Sequence, residues 1–316
     1  MSVFSSAFTV LFLFWSLTLL MKNFLFKNEN ESKNTQIMIL GSAFIGALSF
    51  SFTDSFWFNA VEAEVYAMGT LFIALLFWLG LRWEQEMNNP KGNKWLLIIS
   101  LVLGLSFGVH FLALLTIPAI GFLYYFKKYK NITIKGFIIA NIVIVAILLF
   151  LFKLLLPYTL GFFGKIEIFM VNSLGLPFDS GTIFAFLLIL AFFYFSLNYT
   201  RKKGHVFYNT IILSVLFILI GFSSWLMLPI RANANPPINE NKPSDAAEVL
   251  AYYNREQYGE QKLFYGSQFS DTYSGLDENN PYLDGKPNYE RDYATGKYII
   301  TNNFKNSEQN TDDNHK

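Results

Sequence analysis

Seven stretches of this chain, residues 4–21, 36–52, 65–81, 95–126, 136–152, 181–200 and 206–230, are apolar and almost free of Lys, Arg, Asp and Glu. In lipid every backbone N–H and C=O must be bonded internally, and a helix needs about 20 apolar residues to cross. Repeated runs of this length admit one class of fold: an all-α polytopic membrane protein. Charged residues are only 15% of the chain, against about 25% in soluble domains. The 32-residue run at 95–126 exceeds one crossing and is broken by His110, so it reads as a hairpin of two helices, giving about eight spans. The first segment, "MSVFSSAFTVLFLFWSLTLLMK", has no basic n-region and no small-x-small cleavage site, so it reads as a span rather than a signal peptide. With no cysteine there is no disulfide framework and no thiolate metal site.

Charge sets the expected orientation. With Met1 outside, the inner connections 22–35, 82–94, 127–135 and 201–205 hold 13 Lys and Arg, whereas the outer ones before residue 231 hold only Lys153 and Lys165. Cytoplasmic loops carry the basic excess. This predicts a membrane protein whose segment after Pro229 lies on the outer, extracytoplasmic face. Domain boundaries follow: a membrane domain at 1–230, an extracytoplasmic segment at 231–304, and a polar, disordered tail at 305–316. Nine of the 17 tyrosines fall after residue 230. Within that segment "PSDAAEVLAYYNREQYG" predicts a helix starting at Ser244 or Asp245 and ended by Gly259. Phe162, Ile166, Phe169 and Met170 recur at helical spacing and predict an amphipathic helix lying along the outer surface.

The outer stretch "SFTDSFWFNAVEAEVYAMG" (50–68) holds three carboxylates, Asp54, Glu62 and Glu64, and no basic residue. Ionisable groups at a membrane tend to mark function. Equally, Glu62 and Glu64 precede an apolar helix, where the positive dipole end favours acids, and Phe56, Trp57 and Phe58 suit an interfacial belt. On a helix the two glutamates would point about 200° apart, so one would serve the site and the other the cap, with Glu64 the better site candidate. In extended chain they would share a face. His110 reads as a satisfied polar group, or as a hydrogen-bond donor to a phosphate. Arg231, just after the last span, suits a lipid phosphate or plain headgroup anchoring. Asn235 follows it, and Arg255 and Tyr258, on or just after a short helix, are by themselves surface residues. P-loop, GxGxxG, HExxH and GxSxG signatures are absent, and no basic stripe suits nucleic acid.

Three blocks carry a resemblance: "SFTDSFWFNAVEAEVYAMGTLFIALLFWLGLRWE" (51–84), "GLSFGVHFLALLTIPAI" (104–120) and "PIRANANPPINENKPSDAAEVLAYYNREQYGEQKLFYGSQF" (229–269). They resemble the domain of unknown function 2723 family, the group of transmembrane protein 260. Its members look like membrane-embedded C-type glycosyltransferases akin to protein O-mannosyltransferases. The resemblance implies a helical membrane bundle that transfers a sugar from a polyprenyl phosphate carrier to hydroxyls of exported proteins. Glu64, Glu62 or Asp54 would supply the catalytic carboxylate. His110, Arg231, Asn235, Arg255 and Tyr258 would bind substrate, with membrane lipid, the lipid-linked donor and the protein acceptor as partners. It implies no certain cofactor and leaves a divalent metal open. It also implies a further helix and acid-bearing outer loop before Met1 and more chain after residue 316, so that this chain would be a fragment, inactive by itself. A transporter or flippase for a lipid-linked sugar, or a non-catalytic scaffold, are the alternatives.

Overall fold

The computed structural model describes residues 1–25, 32–89, 91–258, 276–277 and 279–310. It is predominantly helical. In chain order the α-helices are α1 (Ser2–Leu25), α2 (Lys33–Ser51), α3 (Asp54–Val61), α4 (Tyr66–Glu86), α5 (Asn93–Ser106), α6 (Thr116–Lys128), α7 (Ile134–Leu149), α8 (Leu156–Asn172), α9 (Ser180–Lys202), α10 (Val206–Phe222), α11 (Met227–Asn233) and α12 (Ala246–Asn254). Four short strands follow: β1 (Tyr282–Leu283), β2 (Tyr289–Asp292), β3 (Lys297–Ile300) and β4 (Glu308–Gln309). They form two antiparallel pairs, β1 with β4 and β2 with β3.

Among the described residues six helices are long and apolar enough to cross a membrane, or seven if the bent pair α2 and α3 is one span. The hairpin expected at 95–126 forms, but its first arm α5 has only 14 residues. At 1.5 Å per residue that is about 21 Å, short of a 30 Å hydrocarbon core. The expected eight crossings thus become six or seven, plus one apolar helix below spanning length. α5 survives this by packing backbone to backbone on α10. A Cβ on Gly104 would overlap the carbonyl of Ile218, and one on Gly221 the carbonyl of Leu101. Small residues that permit such approach are the usual contact between helices in lipid.

Prolines explain where the helices break. Pro118, Pro157 and Pro229 each stand in the first turn of an α-helix, α6, α8 and α11, where no intrahelical N–H is needed. Each is preceded by irregular helix: 3₁₀ at Phe111–Leu115, π at Phe150–Leu155 and 3₁₀ at Ser223–Leu226. The missing N–H and the ring's clash with the carbonyl four residues back disrupt the α ladder at that point. For Pro157 that carbonyl belongs to Lys153.

The chain divides into two compact units. The first comprises Met1–Leu156 with Phe192–Met227, and the second Pro157–Ala191 with Leu228–Lys316. In the first, α1 packs on α2 and α4, α4 on α5 and α6, and α5 on α10. In the second, α8 meets α12 through Gly161 and Gly164, which face Leu250 and Ala247. The helix expected to lie along the membrane is therefore built into the second unit, with Glu167 only 3% exposed. α12 starts as expected, with Asp245 accepting from the N–H groups of Ala247 (2.9 Å) and Glu248 (3.0 Å). It ends earlier than expected, at Arg255 in the left-handed conformation (φ 57°); Gly259 lies outside the described residues. In the tail expected to be disordered, β4 pairs with β1, and residues 311–316 lie outside the described residues.

Candidate functional site

Chain direction alternates along the first unit, so its helices have two ends. One gathers the connections near residues 87–93, 129–133 and 203–205, rich in Lys and Arg. The other gathers the 52–65 connection, the 107–115 bend, the π turn at 150–155 and the 3₁₀ turn at 223–226. Irregular helix of this kind is frequent at functional sites, and non-helical backbone at membrane depth occurs where it lines a cavity or is buried in protein.

These irregular pieces touch. The ring centroid of Tyr66, at the start of α4, is 5.6 Å from that of His110. Phe111 meets Phe152 edge to face at 5.2 Å. Phe107 packs on Phe222 at 6.1 Å, and Trp225 Nε1 donates to the Phe107 carbonyl at 2.7 Å. One aromatic cluster thus ties four broken helix ends together.

The expected site residues of the first unit lie here. Asp54 is in the first turn of α3, after the N-cap Thr53, where the helix dipole favours an acid. Asp54, Phe52, Trp57, Phe58 and Val61 line an open groove of about 550 Å³. Glu62 is the C-cap of α3, with extended backbone (φ −80°, ψ 149°). The helical-wheel expectation fails, because residues 62–65 are a bend between α3 and α4 and neither glutamate is on a helix. The capping expectation fails as well. α4 begins after Val65 with no side-chain cap and no acid in its first turn, and Glu62 closes α3 at the unfavourable dipole end. Glu64 is exposed and Glu62 half-buried. No ion pair or hydrogen bond to either side chain is made among the described residues.

His110 has a defined role and a remaining capacity. Its Nδ1 accepts from the N–H of Leu112 at 3.0 Å and so caps the 3₁₀ turn. With Nδ1 an acceptor, the neutral ring carries its proton on Nε2 and can donate there. The structural reading of the histidine is thus seen in its Nδ1 contact, and its Nε2 leaves the capacity to donate.

The remaining expected residues belong to the second unit. Arg231 is exposed on α11. Asn235 is exposed in a left-handed turn (φ 48°). Arg255 stacks over the Tyr258 ring at 4.7 Å.

The second unit also holds a polar knot that sequence reasoning missed. The Glu167 carboxylate accepts from the N–H of Asp179 (2.6 Å), the N–H and Oγ1 of Thr182 (2.7 and 3.1 Å) and the Tyr298 hydroxyl (3.4 Å). It thereby satisfies orphan N–H groups at the start of α9. Arg291 donates through Nη2 and Nη1 to Asp179 (2.6 and 3.3 Å) and through Nε to the Tyr298 hydroxyl (3.0 Å). Burial works against the Arg291 charge, yet the hydrogen bond to Asp179 leaves its pKa above the ordinary value. Asn172 bonds both backbone groups of Tyr298 at 2.8 Å. Burial raises the pKa of the Tyr298 phenol and of the Asp245 carboxyl. The available signal was the lone acid in "FFGKIEIFMVN", which only burial turns into a requirement for partners. These groups consume one another's hydrogen-bonding capacity and form a structural network. Among the described residues no group of three or more His, Asp or Glu side chains is placed to hold a metal ion.

Neither the curated proteins nor the solved structures contain a match. Residues 259–316 match a family of unknown function, DUF8416. Residues 1–133, which include Asp54, Glu62, Glu64 and His110, match the protein O-mannosyl-transferase TMEM260 N-terminal domain.

Proposed function

We propose that this chain is the membrane part of a protein O-mannosyltransferase-like glycosyltransferase, working at the end of the first unit that carries Glu64 and His110. The observation that carries the reading is the match of residues 1–133 to that transferase domain. It is supported by the position of the acids at broken helix ends, with no hydrogen-bond or ion-pair partner to their side chains among the described residues. The charge asymmetry of the unit supports an extracytoplasmic location for this end, in a membrane we read as the bacterial cytoplasmic one. A carboxylate there, Glu64 first and Glu62 or Asp54 next, takes the proton from a serine or threonine hydroxyl of an exported protein. The hydroxyl oxygen bonds to the anomeric carbon as the bond from that carbon to the phosphate oxygen of a polyprenyl phosphate carrier breaks. The bonding pair leaves with the phosphate. A donor such as His110 Nε2 stabilises that charge as it develops. Arg231, Asn235, Arg255 and Tyr258, on the second unit, remain proposed substrate-binding residues by the resemblance alone.

The test is glycopeptide mass spectrometry on exported proteins from cells that express the chain in its native gene context. Glu64→Gln lowers occupancy of modified sites through a loss of about 100-fold in transfer rate, the usual effect of removing a general base. Unchanged glycopeptides in Glu64→Gln, Glu62→Gln and Asp54→Asn alike would remove these acids from the reaction.

A further inference from the structure

Lys153 is a charged side chain in the most apolar helical stretch of the protein, Ile134–Asn172. Nineteen residues separate it from Ile134, which is about 28 Å along an α-helix. A hydrocarbon core is about 30 Å thick. If α7 begins at one boundary, Lys153 therefore stands at the other. That is the end of the first unit where Asp54, Glu62, Glu64 and His110 lie. No other Lys or Arg side chain occupies that end among the unit's described residues.

The local backbone is specialised. Lys153 lies within the π turn Phe150–Leu155, and its carbonyl is the one whose α-type partner would be the missing N–H of Pro157. Its side chain is exposed, its Nζ is 5.3 Å from the centroid of the Phe152 ring, and it makes no ion pair among the described residues. Phe152 in turn packs on Phe111, the residue after His110. The cation and the Nε2 donor of His110 thus sit on residues adjoining one aromatic contact.

An ammonium at a hydrocarbon boundary, in ion-pair contact with no carboxylate among the described residues, suits an anionic oxygen ligand. We propose that Lys153 binds the phosphate group of a lipid at this end of the first unit, linked to His110 through the Phe152–Phe111 contact. The proposed sugar transfer enters only through the choice of one probe, because a polyprenyl phosphate donor and a bilayer phospholipid share this chemistry.

The experiment uses the full chain in phosphatidylcholine nanodiscs, with polyprenyl monophosphate, phosphatidylglycerol or uncharged polyprenol added in turn. Bound lipid is read by native mass spectrometry. Lys153→Ala weakens polyprenyl monophosphate binding about tenfold, as expected for one charge-assisted hydrogen bond, while Lys153→Arg stays within about threefold. If only polyprenyl monophosphate is affected, the site serves the donor. If phosphatidylglycerol is affected equally, the site holds bilayer phospholipid, and phosphate binding stands even without sugar transfer. Equal weakening of uncharged polyprenol, or no change with either anionic lipid, would overturn the proposal. Helix content by circular dichroism confirms that each variant is folded, and no step requires catalytic activity.

Discussion

At the basic end of the first unit the acids are held. Glu84 pairs with Lys127 at 2.7 Å and accepts from Asn23 at 3.5 Å, and Glu86 pairs with Arg82 and Lys94, each at 3.1 Å. At the other end Asp54, Glu62 and Glu64 have no basic partner among the described residues. Both ends belong to one packed body and differ in what the chain supplies nearby. The second unit repeats the first pattern more tightly, since Glu167 is buried and its carboxylate accepts four hydrogen bonds. Paired acids hold helices together in this protein, whereas unpaired acids mark the end where chemistry is proposed.

That contrast can be broken by removing acids of each kind and comparing thermal unfolding of the detergent-solubilised chain. The largest loss belongs to Glu167→Ala, which strands the part-buried N–H groups of Asp179 and Thr182 and the buried Tyr298 hydroxyl. A destabilisation of about 3 kcal/mol is expected, and a melting temperature within a degree of wild type would show that the knot carries no stability. Glu84→Gln comes next. Loss of its pairing with the partly exposed Lys127 should cost about 1 kcal/mol after solvent screening. Glu64→Gln serves as its control, expected within about 0.5 kcal/mol of wild type. Equal losses in these two would erase the distinction between the ends.

The smallest effect is a pH effect at Asp245. Burial raises its pKa above the ordinary 3.8, so the folded state binds that proton more tightly than the unfolded chain does. Its contribution therefore falls as pH rises from about 3.8 through the raised folded value, the reverse of a salt-bridged acid. Asn caps a helix about as well as Asp. Asp245→Asn should leave the melting temperature near neutral pH unchanged or slightly higher, and should remove that part of the decline. Melting curves for variant and wild type that run parallel from pH 4 to 7 would contradict this sign.

Much of the first unit was legible because lipid leaves few options. Apolar runs located the helices, and the unequal distribution of Lys and Arg separated the two ends before any packing was known. The break at His110 was visible as a polar residue in an overlong run. The bend at 62–65 was not. Glu62 and Glu64 precede an apolar stretch as helix-capping acids do, and only the folded chain shows α3 closing at Val61 and α4 starting at Tyr66. The wheel that separated the glutamates was applied to residues that form no helix.

The second unit was less legible for a related reason. Glu167 and Arg291 are 124 residues apart, and no local pattern pairs them through Asp179 and Tyr298. Helix α8 looked like a surface helix because its aromatic periodicity gives the same pattern whether it meets lipid or protein. Sequence by itself determined the membrane class and the charged and acid-bearing ends, since backbone satisfaction in lipid and charge placement are local. Tertiary structure alone decided which acids find partners. Pairing depends on the approach of distant helices, set here by contacts as close as Gly104 on the carbonyl of Ile218, and a buried charge is stable only where that approach delivers its donors.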